Sequence, residues 1–582
     1  MVQILTRQPP ASFNDEALRE ITSPLLRRLY AARGVSDPDE VESGLQRLLP
    51  PDLMPDVNKA AQRLADAITT GQKIVVVGDF DADGATSVAL CMQVLNAFGA
   101  QQPDFVVPNR FEFGYGLSEE IVDLVAAKQP QLIVTVDNGV SSIAGVARAA
   151  QLGIDVIVTD HHLPGNELPA AVAVVNPNLR DSVFASPHMA GVGVAYYLLS
   201  VTRTRLRKAN WFDDKRPEPN LAQYLDLVAL GTVADVVPLD ANNRILVEYG
   251  VRRMRAGRCA PGITALIEVA KRTASKLTAQ DLGFAVGPRL NAAGRLDDMT
   301  IGIRCLLAPD LSSARRLATA LDELNQARRA LEAEMVADAE LLVAQASEQS
   351  AGDDRVGLAV YHESFHQGVV GIVAGRLRET FHKPAIAFAD AGELAPDELK
   401  GSARSIEGLH IRDVLDYVAN QHPGLLAKFG GHAMAAGLSI KRVHLKRFQT
   451  VFDKAVRHFA TADMLQAKLV SDGALAPHEM TLDTAQLLSH AGPWGNGFPE
   501  PLFHGEFELI NQRVVGEQHL KLLLRLPQID SGAKQVMDAI AFRQAPMPTA
   551  TERVLVAYKL AVNDYGEWPT LQLMVEYLEP LP

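Results

Sequence analysis

The 582-residue sequence predicts an α/β fold, with a doubly wound parallel-sheet domain, a long connecting helix, a second α/β domain and a C-terminal β-barrel. Three observations lead to this prediction. Between about residues 55 and 180, apolar β-branched segments alternate with helical ones, as in repeated βα units. Residues 310–346 hold almost no Gly or Pro, which predicts one long amphipathic helix. After about residue 470, strand-like segments alternate with turns, which favours a small closed barrel.

A chain of this length exceeds what one hydrophobic core can hold, so we expect several domains. The predicted segments are a helical arm at 1–50, a catalytic α/β domain at 51–305, the connecting helix at 306–348, a second α/β domain at 349–465 and the barrel at 466–582. Ser23 and Pro24 predict the N-terminus of a helix in the arm.

The elements of the first domain follow from periodicity. Helices are expected at 59–70, 85–98, 118–128 and 142–152, and strands at 74–79, 104–108, 131–137, 154–160 and 171–176. Three of these five strands end in aspartate, at Asp79, Asp137 and Asp160. Parallel strands deliver their carboxyl ends to one edge of the sheet, where ligands bind in open α/β folds. We therefore expect these acids to converge.

The later domains are predicted in less detail. In the second α/β domain we expect strands at 356–361 and 385–389, a helix at 371–381, and turns in the glycine-containing stretches 400–405 and 428–437. The barrel strands are expected at 507–510, 521–526, 554–560 and 570–575.

Composition restricts the location and the chemistry of the protein. Hydrophobic residues make up 47% and charged residues 21%, which is ordinary for a globular protein. No apolar run reaches the roughly 18 residues of a membrane span, so we expect no membrane association. The three cysteines lack CxxC spacing and predict neither disulfides nor a zinc site, in keeping with the cytoplasm. The net charge of −13 disfavours nucleic-acid binding only weakly, because local basic patches can still bind phosphate.

The stretch Asp79-x-Asp81-x-Asp83-Gly84 is the most informative motif. Three carboxylates within five residues repel one another unless a cation neutralises them, which predicts a divalent-metal site. An EF-hand loop is excluded, because it needs a glutamate where Leu90 stands and follows a helix instead of a strand. A covalent mechanism with Asp79 as nucleophile remains an alternative.

The sequence Asp160-His161-His162 adds imidazole ligands at the same sheet edge. One histidine can bind metal while the other faces substrate. Mixed ligation dominated by oxygen favours Mn²⁺ or Mg²⁺ over zinc, and enough ligands are present for two ions. Two such ions can activate water and stabilise the leaving oxygen of a phosphoester. The sequence has no P-loop, which disfavours an ATPase. The glycines Gly191 and Gly193 indicate either close helix packing or a phosphate approach.

Three of these motifs resemble the DHH phosphoesterase superfamily with its associated domain, namely 79–84, 160–162 and 428–437. Four more, at 108–116, 230–238, 287–296 and 366–371, are similar to the bacterial RecJ family within it. The resemblance runs over nearly the whole chain. It implies a DHH catalytic domain, a DHH-associated nucleic-acid-binding domain and an OB-fold-like barrel.

The resemblance also implies roles for individual residues. The metal-ligand candidates are Asp79, Asp81, Asp83, Asp137, His161 and Asp235. The catalytic candidates are Asp81, Asp83, His161 and His162, with His162 as a ligand or a substrate contact and Asp160 orienting the histidines. The DNA and phosphate candidates are Arg110, Arg289, Ser402, Arg404, Gly430, Gly431 and His432. For Gly430 and Gly431 a tight turn is the alternative explanation.

The family implies a 5′→3′ exonuclease that degrades single-stranded DNA to mononucleotides with two Mg²⁺ or Mn²⁺ ions, in recombination and mismatch repair. It also implies a monomer that works with a single-stranded-DNA-binding protein and a repair helicase. Two alternatives stay open. One is a small-substrate DHH phosphodiesterase that cleaves oligonucleotides or cyclic dinucleotides, and the other is a non-catalytic DNA-binding scaffold.

Overall fold

The structure is a computed structural model that describes residues 2–11, 13, 15–109, 115–349, 355–392, 395–516, 519–527, 535–548 and 551–582. It divides into two compact units. The smaller unit holds the residues up to Leu5 and Glu323–Leu469, and the larger holds Thr6–Asp322 and Val470–Pro582. Among the described helices, none combines the length and the apolar character that crossing a membrane requires.

The N-terminal segment contains a strand as well as the predicted helix. Strand β1 (Gln3–Thr6) precedes helix α1 (Pro24–Ala31). The Ser23 hydroxyl caps this helix by accepting a hydrogen bond from the Leu26 amide, as its position before Pro24 predicts. The strand was not predicted, so the arm is not purely helical.

The larger unit is built on a five-stranded parallel sheet. Its strands are β2 (Ile74–Val77), β3 (Asp104–Val106), β4 (Leu132–Val136), β5 (Asp155–Thr159) and β6 (Ala173–Val175). The order across the sheet is β3-β2-β4-β5-β6. The four helices interspersed with them are α2 (Val57–Thr69), α3 (Ala82–Ala97), α4 (Glu119–Ala126) and α5 (Ile143–Gln151). Residues of α4 and α5 share one hydrophobic core with alternate residues of the strands. The predicted doubly wound parallel sheet is confirmed.

A helical region follows the parallel sheet in this unit. Its helices are α6 (Gly191–Lys208), α7 (Leu225–Ala234), α8 (Ala241–Arg255), α9 (Pro261–Val269), α10 (Ala279–Asp281), α11 (Gly287–Leu296) and α12 (Thr300–Leu306). The predicted long helix is present as α13 (Leu311–Gln349).

The smaller unit is a second α/β fold around a five-stranded mixed sheet. Its elements are β7 (Leu358–Tyr361), α14 (Val370–Phe381), β8 (Ala385–Asp390), β9 (Glu398–Arg404), α15 (Ile411–Gln421), β10 (Lys428–Gly431), β11 (Ala435–Lys441) and α16 (Leu445–Phe459). The strand order is β10-β11-β9-β8-β7.

The predicted turn at 400–405 is wrong, whereas the stretch 428–437 does contain a turn, at 432–434 between β10 and β11. Residues 400–405 lie almost entirely in β9, and Gly430 and Gly431 lie in β10. Their glycine content suggested turns, but strand β11 pairs with both β9 and β10 and holds them extended.

The C-terminal part of the larger unit is the predicted closed barrel. Strand β12 (Lys468–Ser471) and helix α17 (Leu482–His490) lead into it. Its strands are β13 (Phe503–Val515), β14 (His519–Arg525), β15 (Val536–Phe542), β16 (Arg553–Asn563) and β17 (Thr570–Leu581), in the order β13-β14-β15-β17-β16. Strand β15 was missed from sequence.

Candidate active site

The candidate ligands lie where the strand order of the parallel sheet reverses, between β2 and β4. In such folds the crevice at the reversal is the usual ligand site. The segment after β2 carries Asp79, Asp81 and Asp83, and Asp137 directly follows β4. The buried Asn138 ties these strand ends together, because its side-chain amide donates to the carbonyl oxygens of Val77 and Val136 at 3.1 and 2.8 Å.

The DxDxDG motif is a strand-to-helix turn. Helix α3 begins at Ala82, three residues earlier than predicted. Asp81 is its N-cap and accepts a hydrogen bond from the Gly84 amide at 3.0 Å, so Asp83 lies in the first helical turn. Gly84 is required, because a Cβ there would lie 2.4 Å from the carbonyl oxygen of Asp79.

Asp83 is fully buried and held by a second helix N-terminus. Its two carboxylate oxygens accept hydrogen bonds from the backbone amides of Gly191 and Val192 at 2.6 and 2.9 Å, at the start of α6. Gly191 also packs closely, since a Cβ there would lie 2.6 Å from that of Asp137. These contacts resolve the alternatives for Gly191 in favour of close packing. Burial and the charge of Asp81 raise the pKa of Asp83 to about 7, against the two amide hydrogen bonds.

Asp137, His161 and Asp235 complete the cluster. The Nε2 atom of His161 lies 3.1 Å from a carboxylate oxygen of Asp137, 3.5 Å from one of Asp235 and 4.0 Å from one of Asp83. Asp235 caps the C-terminus of α7. Burial, followed by the charge of Asp83, raises the pKa of both Asp137 and Asp235 well above the ordinary value. Burial and His162 lower the pKa of His161 to about 4, which leaves its ring neutral and able to coordinate a metal.

The donor set fits divalent cations. Ligand atoms within 4.8 Å of one another form the groups Asp79–Asp81–Asp137, Asp83–His161–Asp235 and Asp137–His161–His162. Asp137 Oδ1 and His161 Nε2 are buried and face each other, yet neither makes a hydrogen bond to a described residue. Buried polar atoms normally have partners, and unpaired ligand atoms of this kind are expected where metal ions bind.

Asp160 holds both histidines. One of its oxygens accepts from the amides of His161 and His162 and lies 2.7 Å from His162 Nδ1, while the other accepts from the Val140 amide. Burial raises the pKa of Asp160, but these hydrogen bonds outweigh it and the net shift is downward. Burial lowers the pKa of His162, and the bond to Asp160 reverses this to a net increase. The geometry agrees with the predicted orienting role of Asp160.

Tyr115 is a candidate that sequence reasoning missed. Its hydroxyl lies 3.0 Å from Nδ1 of His162 and donates to the Asp137 carbonyl at 3.2 Å. About half of the residue is exposed, and the charge of Asp160 adds to burial in raising its pKa. Tyr115 belongs to the motif at 108–116 that carried the family resemblance, which was the available signal. Asn291 was also missed, and its side chain accepts from the amide of Ala82 at 2.8 Å.

The predicted phosphate contacts Ser402 and Arg404 lie together on β9 in the smaller unit. The guanidinium of Arg404 donates to the Ser402 hydroxyl at 3.0 Å. Both lie against Gly371 in the first turn of α14, where a Cβ would be 3.0 Å from each side chain. Burial and the charge of Arg378 lower the pKa of Arg404. No carboxylate of the described residues forms an ion pair with Arg404, which leaves this cation available to an anion.

Gly430, Gly431 and His432 lie at the end of β10 and the turn that follows. Gly431 has a φ of 147°, and a Cβ there would lie 2.4 Å from the carbonyl oxygen of Ala435, so neighbouring backbone requires this glycine. A Cβ on Gly430 would have no atom within 4 Å. The His432 amide donates to the Ala435 carbonyl.

The remaining predicted contacts are Arg289 and Arg110. The guanidinium of Arg289 bonds to Asp322 at 2.8 Å, to the carbonyl of Val269 at 3.3 Å and to that of Ala285. These bonds give it a structural role between α11 and the segments around it, and a phosphate contact stays a prediction. Arg110 lies outside the described residues.

Three family models match the chain. The DHH family N-terminal domain matches residues 73–232, the DHHA1 domain matches 353–458 and the RecJ OB domain matches 471–577. The DHH model contains all the metal-ligand candidates except Asp235, and the DHHA1 model contains Ser402, Arg404 and Gly430–His432.

Curated relatives match over nearly the whole length. The single-stranded-DNA-specific exonuclease RecJ of Escherichia coli (strain K12) is 53% identical over 562 residues, 96% of each chain. The protein of the same name from Dickeya dadantii (strain 3937) is 51% identical over 585 residues and the full length of both chains.

Solved structures agree in fold. The crystal structure of RecJ in complex with Mn²⁺ from Thermus thermophilus has a TM-score of 0.80 and 27% identity, covering 100% of this chain and 79% of that one. The structure of the same protein with Mg²⁺ has a TM-score of 0.73 and 26% identity, covering 100% and 78%. The predicted resemblance is confirmed, and the chain belongs to the RecJ family of single-stranded-DNA-specific exonucleases.

Proposed function

We propose that this chain hydrolyses single-stranded DNA from its 5′ end and releases mononucleotides in a metal-dependent reaction. The observation that carries the proposal is the convergence of five acids and one neutral histidine at one edge of the parallel sheet. They come from four separate segments of the chain. Such a cluster of mutually repelling carboxylates suits the binding of divalent cations beside a phosphodiester.

Two ions fit the ligand set. Asp79, Asp81 and Asp137 would hold one, and Asp83, His161 and Asp235 would hold the other, with no residue used twice. When bound, the ions supply Lewis-acid activation of water and neutralise charge on the phosphate, so that no side-chain general base is needed. The RecJ protein from Thermus thermophilus was solved in complex with Mn²⁺ and in complex with Mg²⁺, and we expect either ion to serve here.

The chain's own groups fix this arrangement before substrate arrives. The amides of Gly191 and Val192 hold both oxygens of Asp83, and the carboxylate of Asp160 holds the backbone and ring of His162. His162 is more exposed than His161, with about a third of its side chain accessible. We assign His162 to contact with the substrate phosphate.

Arg404 and Ser402 are proposed to bind the DNA backbone. Their side chains lie together beside the N-terminus of α14, where the helix dipole favours anions. The closed barrel belongs to the OB class, which commonly binds single strands by stacking and backbone contacts. The presence of both a DHHA1 domain and an OB-class barrel favours a polymeric substrate over a dinucleotide. The complete set of metal-ligand candidates argues against a non-catalytic scaffold.

The cellular setting follows from the family. We propose a role in recombination and mismatch repair, with a single-stranded-DNA-binding protein and a repair helicase as partners. A monomeric state and a cytoplasmic location are parts of the same proposal.

The test is digestion of 5′-labelled and 3′-labelled single strands with Mg²⁺ or Mn²⁺. We expect labelled mononucleotide to appear first from the 5′-labelled strand, and duplex of the same sequence to be resistant. Early release of the 3′ label would overturn the polarity. A long strand and a dinucleotide are compared at equal concentration of ends, and a preference for the dinucleotide would favour the small-substrate alternative.

A further inference from the structure

A pocket rich in arginine lies in the larger unit, apart from the residues of the candidate active site. Its cavity volume is about 480 Å³, and α1, the segment before it and the end of β12 form its walls. We call it the arginine pocket and define it by Arg7, Arg27, Arg28, Phe13, Pro24 and Asp472.

The nearby Arg33 has hydrogen-bond partners for every nitrogen of its guanidinium group, in contrast to the arginines of the pocket. It makes two hydrogen bonds of 2.9 Å to the carboxylate of Asp472 and donates to the carbonyls of Leu29 and Pro499 at 2.8 Å. Both side chains are buried. Asp472 also accepts from the Leu502 amide at 3.0 Å. The one carboxylate of the pocket is therefore already used by Arg33 and by backbone.

The arginines of the pocket are not satisfied in this way. Arg7 reaches Asp472 only at 3.5 Å, beyond good hydrogen-bond geometry, and its buried Nε atom has no hydrogen-bond partner. The buried Nε atom of Arg27 also lacks a partner, and no described residue forms an ion pair with Arg27. Arg28 makes one long bond, of 3.4 Å, to the carbonyl of Ala474. Of these three arginines only Arg7 approaches the carboxylate that Arg33 has already neutralised, Arg27 has no carboxylate partner among the described residues, and the exposed Arg28 has only its bond to Ala474.

The unpaired guanidinium donors of the pocket favour the binding of an anion. A buried donor of a charged group costs free energy when it is left unpaired, and guanidinium groups match phosphate oxygens in pairs. The remaining wall is apolar and includes Phe13, Pro24 and Leu29, which suits a flat ring instead of a second charge. The volume suits a small ligand more than a polymer.

We propose that the arginine pocket binds a nucleoside 5′-monophosphate, with its phosphate on Arg7, Arg27 and Arg28 and its base against Phe13 and Pro24. The choice of a nucleotide among small anions rests on the proposed function, whose product is a nucleoside monophosphate. The same group could arrive as a free nucleotide or as the 5′-phosphorylated end of a strand. None of the metal-ligand candidates contributes to this pocket.

The experiment measures the binding of dTMP to the full chain in EDTA, by calorimetry and by the shift in melting temperature. The variants are Arg27→Gln and Arg7→Gln, and the control is Arg19→Gln, an exposed arginine of the same segment that pairs with Glu16. We expect the dissociation constant to rise roughly 10- to 100-fold in the two pocket variants and to stay unchanged in the control. Because Arg27 has no ion pair to lose, Arg27→Gln should melt no lower than the unaltered protein when no nucleotide is present.

Further ligands identify the source and keep the proposal falsifiable. Thymidine should not bind, which shows that the phosphate is required. Arg27-dependent binding of a 5′-phosphorylated oligonucleotide would mean that strand ends enter, and binding of dTMP alone would mean that free nucleotide does. Equal affinity of dTMP for Arg27→Gln, Arg7→Gln and the unaltered protein would contradict the proposal that the arginine pocket binds the nucleotide. The end-label digestion tests the nuclease separately, since the proposed catalytic site contains neither arginine.

Discussion

The edge of the parallel sheet and strand β9 of the smaller unit carry opposite charges. At the sheet edge, carboxylates from segments more than 150 residues apart are buried together with raised pKa values. On β9, Arg404 is partly buried and its pKa is lowered by burial and by the charge of Arg378. Each region holds one sign of charge without its counter-ion among the described residues. Under the proposed function, divalent cations would neutralise the acids, and a phosphate of the DNA would neutralise the arginine.

The largest effect is expected from removing one charge at the sheet edge. Asp81→Asn keeps the helix cap, and Asp81→Ala removes both cap and charge. Both should lower the hydrolysis rate by about 1,000-fold or more, because a metal ligand contributes several kcal/mol to the transition state. Only the alanine variant should also lose about 1 kcal/mol of stability. DNA binding should survive in both variants.

The matched control is Asp66→Asn, an exposed aspartate on α2. Rates of single-strand digestion and urea unfolding measure the two effects. Nuclease activity near the normal rate in Asp81→Asn would contradict the ligand assignment.

The second effect is the pH dependence of metal binding. In the metal-free protein the pKa of Asp83 is about 7 and those of Asp137 and Asp235 are also raised, so protons occupy the site near neutral pH. Mn²⁺ must displace them, and its affinity should rise by about tenfold per pH unit and per proton between pH 6 and 7. Calorimetric titrations at pH 6, 7 and 8 measure this.

The same raised pKa values predict that the stability of the metal-free protein falls as pH rises, whereas its metal affinity increases. An acid whose pKa is higher in the folded state stabilises the fold below that pKa and ceases to do so as pH rises through it. In EDTA the melting temperature should therefore fall between pH 6 and 8, and saturating Mn²⁺ should remove the fall. A metal affinity independent of pH would show that the acids are ionised before the metal binds.

The third effect tests the basic region. Arg404→Gln should weaken single-strand binding by roughly tenfold and reduce the salt dependence by about one phosphate contact, with little change in the rate at saturating DNA. Arg412→Gln is the control, because this exposed arginine of α15 has only a 3.8 Å pair with Asp416. Fluorescence anisotropy at several salt concentrations measures the affinity and the salt dependence of both variants. Equal affinities for the two variants would remove Arg404 from the DNA contacts.

The two regions also differ in how far the sequence predicted them. The convergence of Asp79, Asp137 and Asp160 followed from one topological rule, that parallel strands end at the same edge. The bonds from Gly191 and Val192 to Asp83 could not be predicted, since they join segments that are 108 and 109 residues apart and depend on how α6 packs.

The segment of strand β9 was predicted as a turn because Gly and Ser are common in turns. Its pairing with β11 overrides this local preference. By contrast, β15 was missed because its burial alternates in the structure while its sequence is apolar at nearly every position and shows no such alternation.

The smallest effect on DNA binding concerns the two glycines of β10, whose structural requirements differ. Gly431→Ala should cost roughly 1–3 kcal/mol of stability, because its φ of 147° is strained for alanine and the new Cβ would meet the backbone of β11. Gly430 is exposed and a Cβ there meets nothing, so Gly430→Ala should be neutral or slightly stabilising.

The structure therefore explains Gly431 without a ligand and leaves Gly430 without a structural reason. A glycine with open space beside it suits the close approach of another molecule to the backbone. If Gly430 admits a phosphate, Gly430→Ala should weaken single-strand binding several-fold while its urea unfolding curve stays unchanged. Unchanged affinity and unchanged stability together would remove Gly430 from the phosphate contacts and leave Arg404 and Ser402 as the core of that region.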